Sequence, residues 1–371
     1  MTVRAIPIQN VYYLLAYAWK EFREGQLKDI ASTDCPDSAN LLAHLLGEGI
    51  AALARTGIDK GYQTKSEDTA RLRGRFDIAG SYRRALHLTG RMNCSFDELT
   101  VDTLPNQILK STCVRLMRAS NLLTKENRAL IRNSGDLLGG VSMVRISNSL
   151  FRRVQLHRNN RKYRFLLNIC ELLNNCYSPS EATGVGRFTD FLEDDVQMSR
   201  VFESFVLQFA RKHCSGADVR SMQISWDGVW DSEVAEVLPT MKTEVTIDHP
   251  DGKTILDCKV YRQALVTRYD RKRLHSSHLY QLTAYLTNQA RYPGWENVKG
   301  ILLYPAVEHR LSYAFKLQGH GIEVRSIDLD QPWQQIHDNL IQVFVNNVST
   351  VLPGDRKGTQ LNSGHSPPRA E

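Results

Sequence analysis

The segment Met241-Lys-Thr-Glu-Val-Thr-Ile-Asp-His-Pro-Asp-Gly-Lys-Thr-Ile-Leu-Asp-Cys-Lys-Val-Tyr261 decides the fold of the second half of this chain. Two alternating runs flank His249-Pro250-Asp251-Gly252, and a Pro-Asp-Gly turn between β-rich runs signals a hairpin. A four-residue loop at 249–252 sets Asp248 opposite Lys253 and brings Glu244 opposite Asp257. Opposed residues of an antiparallel pair share a face, with Cβ atoms roughly 5 Å apart. Lys259, two residues beyond Asp257, shares that face as well. Two carboxylates and an ammonium group therefore converge on one patch. Like charges side by side destabilise a sheet unless a cation offsets them. Mg²⁺ suits such a patch, because it takes a few carboxylate or carbonyl oxygens and keeps several waters. Glu244 and Asp257 are the expected metal ligands, and the Cys258 backbone carbonyl is within reach of the same ion while its thiol points to the core. Lys259 could orient a water or stabilise charge on a phosphate. The competing reading is a salt bridge on a strand. About one D-x-K tripeptide is expected by chance in a chain of this length, so the weight rests on the pairing with Glu244.

Downstream, Ser276 to Tyr285 reads as the start of a helix spanning Ser277 to Ala290, with Gln281 and Tyr285 on one face. The intervening run contains Arg262, Arg268, Arg271, Lys272, Arg273 and His275. It reads either as a phosphate-contacting loop, led by Arg268, Arg271, Lys272 and Arg273, or as a solvated one. Strands are expected at Val298–Tyr304, Ser312–Leu317 and Ile322–Ile327, and a last helix at Pro332–Val348. Upstream, strands are expected at Val219–Trp226 and Val237–Ile247. A helix from Val196 to His213 buries Val201, Phe202, Phe205, Val206 and Phe209. Glu203 lies off that stripe; it reads as a solvated flank, with a further acid of the site as the alternative.

The first half reads as mainly helical with some strand. Asn10 can cap a helix through Tyr12 to Trp19. A second helix is expected at about Ser38 to Ala54, with Gly57 ending it. Strand is expected somewhere in Ala70–Leu88, around Arg71-Leu72-Arg73-Gly74-Arg75. Further helices are expected at Asn106–Arg118, Lys125–Arg132 and Tyr163–Cys176. The polar stretch from Ser178 to Gly186 marks a domain boundary. The Gly/Ser/Pro-rich residues beyond Pro353 read as a disordered tail.

With 371 residues, the chain is long enough for two cores. Lys and Arg number 47 against 40 acidic residues, a net charge of +7 that is compatible with a polyanion partner but does not demand one. Seven cysteines without any C-x-x-C pair argue against a zinc site and for buried free thiols in a reducing compartment. The apolar stretch Val11–Trp19 is too short to span a bilayer and reads as a core helix of a cytoplasmic protein. There is no G-x-x-x-x-G-K-[ST] loop, so a P-loop NTPase has no support.

The order of the first acid, Asp257-Cys258-Lys259 and then Gln281-x-x-x-Tyr285 is similar to that of the PD-(D/E)xK nuclease superfamily. Ile6-Pro-Ile-Gln-Asn-Val-Tyr-Tyr-Leu-Leu-Ala-Tyr-Ala-Trp19 narrows the resemblance, as do Asp102-Thr103 with Asn106 and Lys110, Leu238-Pro239-Thr-Met241, and Leu303-Tyr304-Pro305. Together these residues resemble the McrC family, which supplies the nuclease subunit of the McrBC 5-methylcytosine-dependent restriction system, from about residue 5 to about residue 350. The resemblance implies an α+β or α/β chain in three parts. Residues 1–185 would bind a partner, 186–350 would form an αβββαβ nuclease core around a mixed sheet, and 351–371 would be the tail. It implies a Mg²⁺-dependent endonuclease with Glu244, Asp257 and Lys259 catalytic and Gln281 and Tyr285 supporting. The implied partners are an McrB-like AAA+ GTPase, which uses the GTP, and double-stranded DNA carrying modified cytosine, with no membrane. In that family the first acid is commonly Asp, whereas here it is Glu244. Two other readings use the same residues: a regulatory subunit that only stimulates the GTPase, and a non-catalytic DNA-binding protein.

Overall fold

The computed structural model describes residues 6–20, 35–119, 122–157, 160–178, 187–260, 265–268, 271–306 and 310–349. The expected domain boundary, apart from Ser178, and the expected tail lie outside these residues.

Five helices dominate the first half: α1 (Ile8–Ala18), α2 (Ser38–Thr56), α3 (Leu104–Arg118), α4 (Lys125–Leu137) and α5 (Tyr163–Asn175). The Asp37 carboxylate accepts the Asn40 N–H at the start of α2, and Gly57 ends it at φ 103°. α2 packs on α4 and α5, and α3 on the same two helices. Between α2 and α3 lies an antiparallel sheet of β1 (Gly61–Thr69), β2 (Arg75–Asp77) and β3 (Met92–Thr100), in the order β1-β3-β2. Within Ala70–Leu88, where strand was expected, only Arg75–Asp77 is extended. Asp77 turns the chain into a short helix, Ile78–Arg83, by accepting the Gly80 N–H at 2.8 Å.

α1 corrects a second expectation. Asn10 does not cap it: the helix begins at Ile8, and the Asn10 amide donates to the carbonyls of Leu329 and Gln331, both at 2.7 Å. Every residue from Asn10 to Ala18 is buried, which a helix apolar all round requires. α1 packs mainly on α6 (Asp195–His213), where Tyr13 and Tyr17 meet Phe205 edge-on. Asp194 caps α6.

The second half is organised by six strands: β4 (Asp218–Arg220), β5 (Val245–His249), β6 (Gly252–Cys258), then, beyond a separate hairpin of β7 (Leu265–Arg268) and β8 (Arg271–Leu274), β9 (Lys299–Ala306), β10 (Ser312–Leu317) and β11 (His320–Asp328). α7 (Ser276–Ala290) precedes β9, and α8 (Trp333–Ser349) follows β11. The sheet order is β10-β11-β9-β6-β5-β4, parallel at β6–β9 and β9–β11 and antiparallel elsewhere, so it is mixed. Central parallel strands are covered on both faces and read as continuous apolar runs; β9 is such a run, buried from Gly300 to Tyr304. Val245, Ile247, Leu256, Ile301 and Leu303 join the core of α1, α6 and α8. Ile255, Leu302 and Tyr304 join Leu282, Tyr285 and Leu286 of α7.

The expected strand at Val237–Ile247 is broken. Ser232–Val237 begins as a short helix capped by Asp231, and pairing lapses at Thr243-Glu244. Val219–Trp226 is likewise reduced to Asp218–Arg220 and Gln223–Ile224. All seven cysteines are free, and six of them are buried. No helix among the described residues is long and apolar enough to cross a membrane.

Candidate active site

The β5–β6 hairpin is tighter than expected. Gly252 pairs with His249, leaving Pro250-Asp251 as the connection, while Lys253 lies opposite Asp248 as the turn chemistry implies. Their side chains form a 3.1 Å ion pair. The ladder runs to Leu256 opposite Val245 and stops there; one position further on lie Asp257 and Glu244. On the other side of β6, Lys259 donates its backbone N–H to Leu303 at 2.9 Å. The ladder cannot continue past this point, because Pro305 has no N–H. Both site strands thus end at the acids and the lysine.

The three side chains meet. The Lys259 ammonium lies 3.0 Å from Asp257 Oδ1, 2.9 Å from Oδ2 and 3.6 Å from Glu244 Oε1. Glu244 Oε2 accepts the Cys258 backbone N–H. Asp257 is fully buried, and its Oδ2 accepts no hydrogen bond despite the nearby ammonium. Burial, reinforced by Asp257, pushes the Glu244 carboxyl up to about 8, and Lys259 offsets only part of this. Burial also raises Asp257, against the pull of Lys259. For Lys259, burial acts to lower the value, but Asp257 and Glu244 outweigh it and the ammonium is held charged. Buried carboxylates that resist ionisation, one with an oxygen lacking a hydrogen bond, are short of positive charge.

That shortage fits a divalent cation. Among the described residues no three His, Cys, Asp or Glu side chains form a ready metal cage. An ion here would therefore draw on Glu244 and Asp257 and complete its shell with water, as Mg²⁺ does. The Cys258 thiol is buried in the core, and burial together with Glu244, Asp257 and Glu203 holds it well above the ordinary thiol value.

α7 closes the patch from above. Gln281 donates to the Tyr285 hydroxyl at 2.7 Å, and that hydroxyl donates to the Lys242 carbonyl at 3.1 Å. Asp257, Lys259 and Glu244 all act on the Tyr285 phenol, which places it beside them. Two further groups lie near the site: Glu203, which the sequence left between a candidate acid and a solvated flank, and His278, which it did not single out. Glu203 of α6 faces the site: burial raises its carboxyl, Lys259 pulls it down and Asp257 pushes it up. His278, in the first turn of α7, is buried with Nδ1 2.8 Å from the Tyr304 hydroxyl. Tyr304 falls opposite Lys259 in the parallel register, so a Tyr on the strand beside the D-x-K was the only available hint.

Arg268 and Arg271 face each other across the β7–β8 hairpin, with Lys272 and Arg273 following on β8. The positions of their side chains, and all of Arg262, lie outside the described residues.

Residues 9–305 match the family model described as "McrBC 5-methylcytosine restriction system component". The chain is 31% identical over 347 residues to the Escherichia coli K12 protein described as "Type IV methyl-directed restriction enzyme EcoKMcrBC", covering 91% of this chain and 97% of that one. Its fold is similar to a chain in a half-complex from a tetradecameric assembly of Thermococcus gammatolerans McrB AAA+ hexamers with bound McrC. There the TM-score is 0.58 at 17% identity, covering 92% of this chain and 76% of the other.

Proposed function

The chain belongs to the family of McrBC 5-methylcytosine restriction system components, and on that footing we propose that it is the DNA-cleaving subunit of a modification-dependent restriction complex. The observation that carries this is the convergence of Glu244, Asp257 and Lys259, with a buried Asp257 oxygen that accepts no hydrogen bond. The fold around it supports a PD-(D/E)xK core in residues 186–350. One helix leads into the hairpin, a second follows it, and a parallel strand lies beside the D-x-K strand.

In this reading Glu244 and Asp257 hold the metal, with the Cys258 carbonyl as a further donor. A bound Mg²⁺ supplies Lewis acidity at the scissile phosphate and makes a bound water easier to deprotonate. Lys259 is held charged between the two acids, where it orients the attacking water and stabilises charge developing on the phosphoryl oxygens. Tyr285, anchored by Gln281 and the Lys242 carbonyl, buttresses the strand that delivers Glu244. Arg268, Arg271, Lys272 and Arg273 are the residues proposed to contact backbone phosphates.

The partner follows from the relatives. The solved half-complex pairs McrC with McrB hexamers, and this chain is proposed to dock on such an AAA+ GTPase through residues 1–185 and to stimulate its GTP hydrolysis. The β1–β3 sheet and its short helix suit a docking surface. Tyr62, Leu72, Ile78, Tyr82 and Leu88 are each more than 60% exposed there, which an isolated surface rarely tolerates.

The test is cleavage of methylated and unmethylated plasmid with Mg²⁺, GTP and the cognate GTPase, comparing wild type with Asp257→Ala. Methyl-dependent cutting that disappears in the variant, while GTPase stimulation persists, supports the reading. A wild type that stimulates the GTPase and never cuts rejects it in favour of a regulatory subunit.

A further inference from the structure

Glu244 sits at a break in its strand, and the break has a cause. In the antiparallel ladder Leu256 pairs with Val245, so the next hydrogen-bonded pair, two residues on, would join the Cys258 N–H to the Thr243 carbonyl. That bond is not made. The Thr243 main chain is turned the other way, towards Ser221 and Met222. The Thr243 N–H donates to the Met222 carbonyl at 2.9 Å, and the Ser221 hydroxyl donates to the Thr243 carbonyl. The Thr243 hydroxyl completes the knot: it accepts the Met222 N–H at 2.9 Å and lies 2.7 Å from the Thr246 hydroxyl and 3.1 Å from the Met222 carbonyl. Thr243 is 1% exposed and Thr246 fully buried, so these bonds are shielded from water.

The Cys258 N–H is thereby left without its main-chain acceptor, and the Glu244 carboxylate takes the place of the Thr243 carbonyl. With Oε2 occupied, Oε1 is the oxygen turned towards Lys259. The longer side chain of Glu has a use here: Asp, one methylene shorter, would not span from the broken strand to that N–H and still keep an oxygen beside Lys259.

We infer that Thr243 is a positioning residue of the site: its hydroxyl knot holds the strand off β6, so that Glu244 replaces a missing ladder bond and presents one defined oxygen beside Asp257 and Lys259. The consequence for metal binding rests on the nuclease reading above; the consequence for the Cys258 amide does not.

The tests use amide hydrogen exchange at Cys258 in the metal-free full-length chain, and the Mg²⁺ dependence of plasmid cleavage in the complete complex. In wild type the Cys258 amide is protected. Glu244→Ala and Glu244→Asp should each speed its exchange about tenfold, the loss of one buried hydrogen bond. In the double variant T243V/E244A the strand is free to close, the residue-243 carbonyl recovers the Cys258 N–H, and protection returns. Thr243→Val keeps the shape of the side chain and removes the knot. It should raise the Mg²⁺ needed for half-maximal cleavage by about tenfold, with KM for DNA little changed, whereas Thr243→Ser keeps the hydroxyl and should behave as wild type. Unaltered Cys258 exchange in Glu244→Ala, or no recovery in the double variant, overturns the inference. So does a wild-type Mg²⁺ response in Thr243→Val. A wild-type complex that does not cut would defeat the nuclease reading alone and leave the exchange result to decide this one.

Discussion

Replacing Glu244 with Gln should make the metal-free protein more stable at neutral pH and less sensitive to pH. Gln keeps an oxygen for the Cys258 N–H and removes the charge. Glu244 is raised from its ordinary value of 4.5 to about 8, chiefly by burial and then by Asp257. The native state therefore retains a proton that the unfolded chain releases. Stability is fully present below the unfolded value and is lost as pH rises towards the folded one. The loss is about 1.4 kcal/mol per pH unit inside that window, so moving from about pH 5.5 to about pH 7.5 should cost wild type roughly 3 kcal/mol. The assay is urea unfolding with excess chelator, followed by tryptophan fluorescence, since Trp295 is buried beside α7. Wild type should show a midpoint that falls with pH, and Glu244→Gln a nearly flat one. Saturating Mg²⁺ should flatten the wild-type curve, because the cation takes over the role of the proton. Parallel curves for the two proteins in chelator, or a variant less stable than wild type at about pH 7.5, would refute the electrostatic account of the site.

Three other perturbations test the scaffold. Asn10→Leu removes both amide bonds to the Leu329 and Gln331 carbonyls and should cost about 2–3 kcal/mol in chemical denaturation; an unchanged midpoint would mean that those bonds do not hold α1. Gly300→Ala places a Cβ 2.8 Å from Leu286 Cδ1 and 2.9 Å from Leu282 Cδ2. It should push α7 outward at a cost of about 1–3 kcal/mol and lower cleavage more than GTPase stimulation, which paired activity assays would show. Burial, helped by His337 and Lys212, holds His213 down at about 4, with its Nε2 3.0 Å from the Tyr17 hydroxyl. The native ring stays neutral, so this contribution is lost as pH falls from about 6.5 towards about 4. His213→Gln should therefore blunt the acid-side drop in melting temperature, and an unchanged acid profile would exclude His213 as its source.

The sequence by itself determined what depends on neighbours along the chain. A Pro-Asp-Gly turn and two alternating runs gave a register in which Asp248 meets Lys253, and that same count carried Glu244 to Asp257 and placed Lys259 on their face. Helical spacing likewise put Gln281 next to Tyr285. Turn geometry and side-chain periodicity are local, so they can be read from order alone.

What the spacing left open was every contact made through space. Glu203 lies off an apolar stripe, and a polar flank looks the same in sequence whether it faces water or a buried site. Asn10 looked like a cap because its type favours one, yet its amide is claimed by carbonyls more than 300 residues away. The break at Thr243 was hidden because alternation reports which face a side chain takes, not which strand its backbone pairs with. Burial decides the rest. The unusual protonation of Glu244 arises only when the folded chain removes water from two carboxylates at once, and no pattern of residues carries that information until the helices have closed over the sheet.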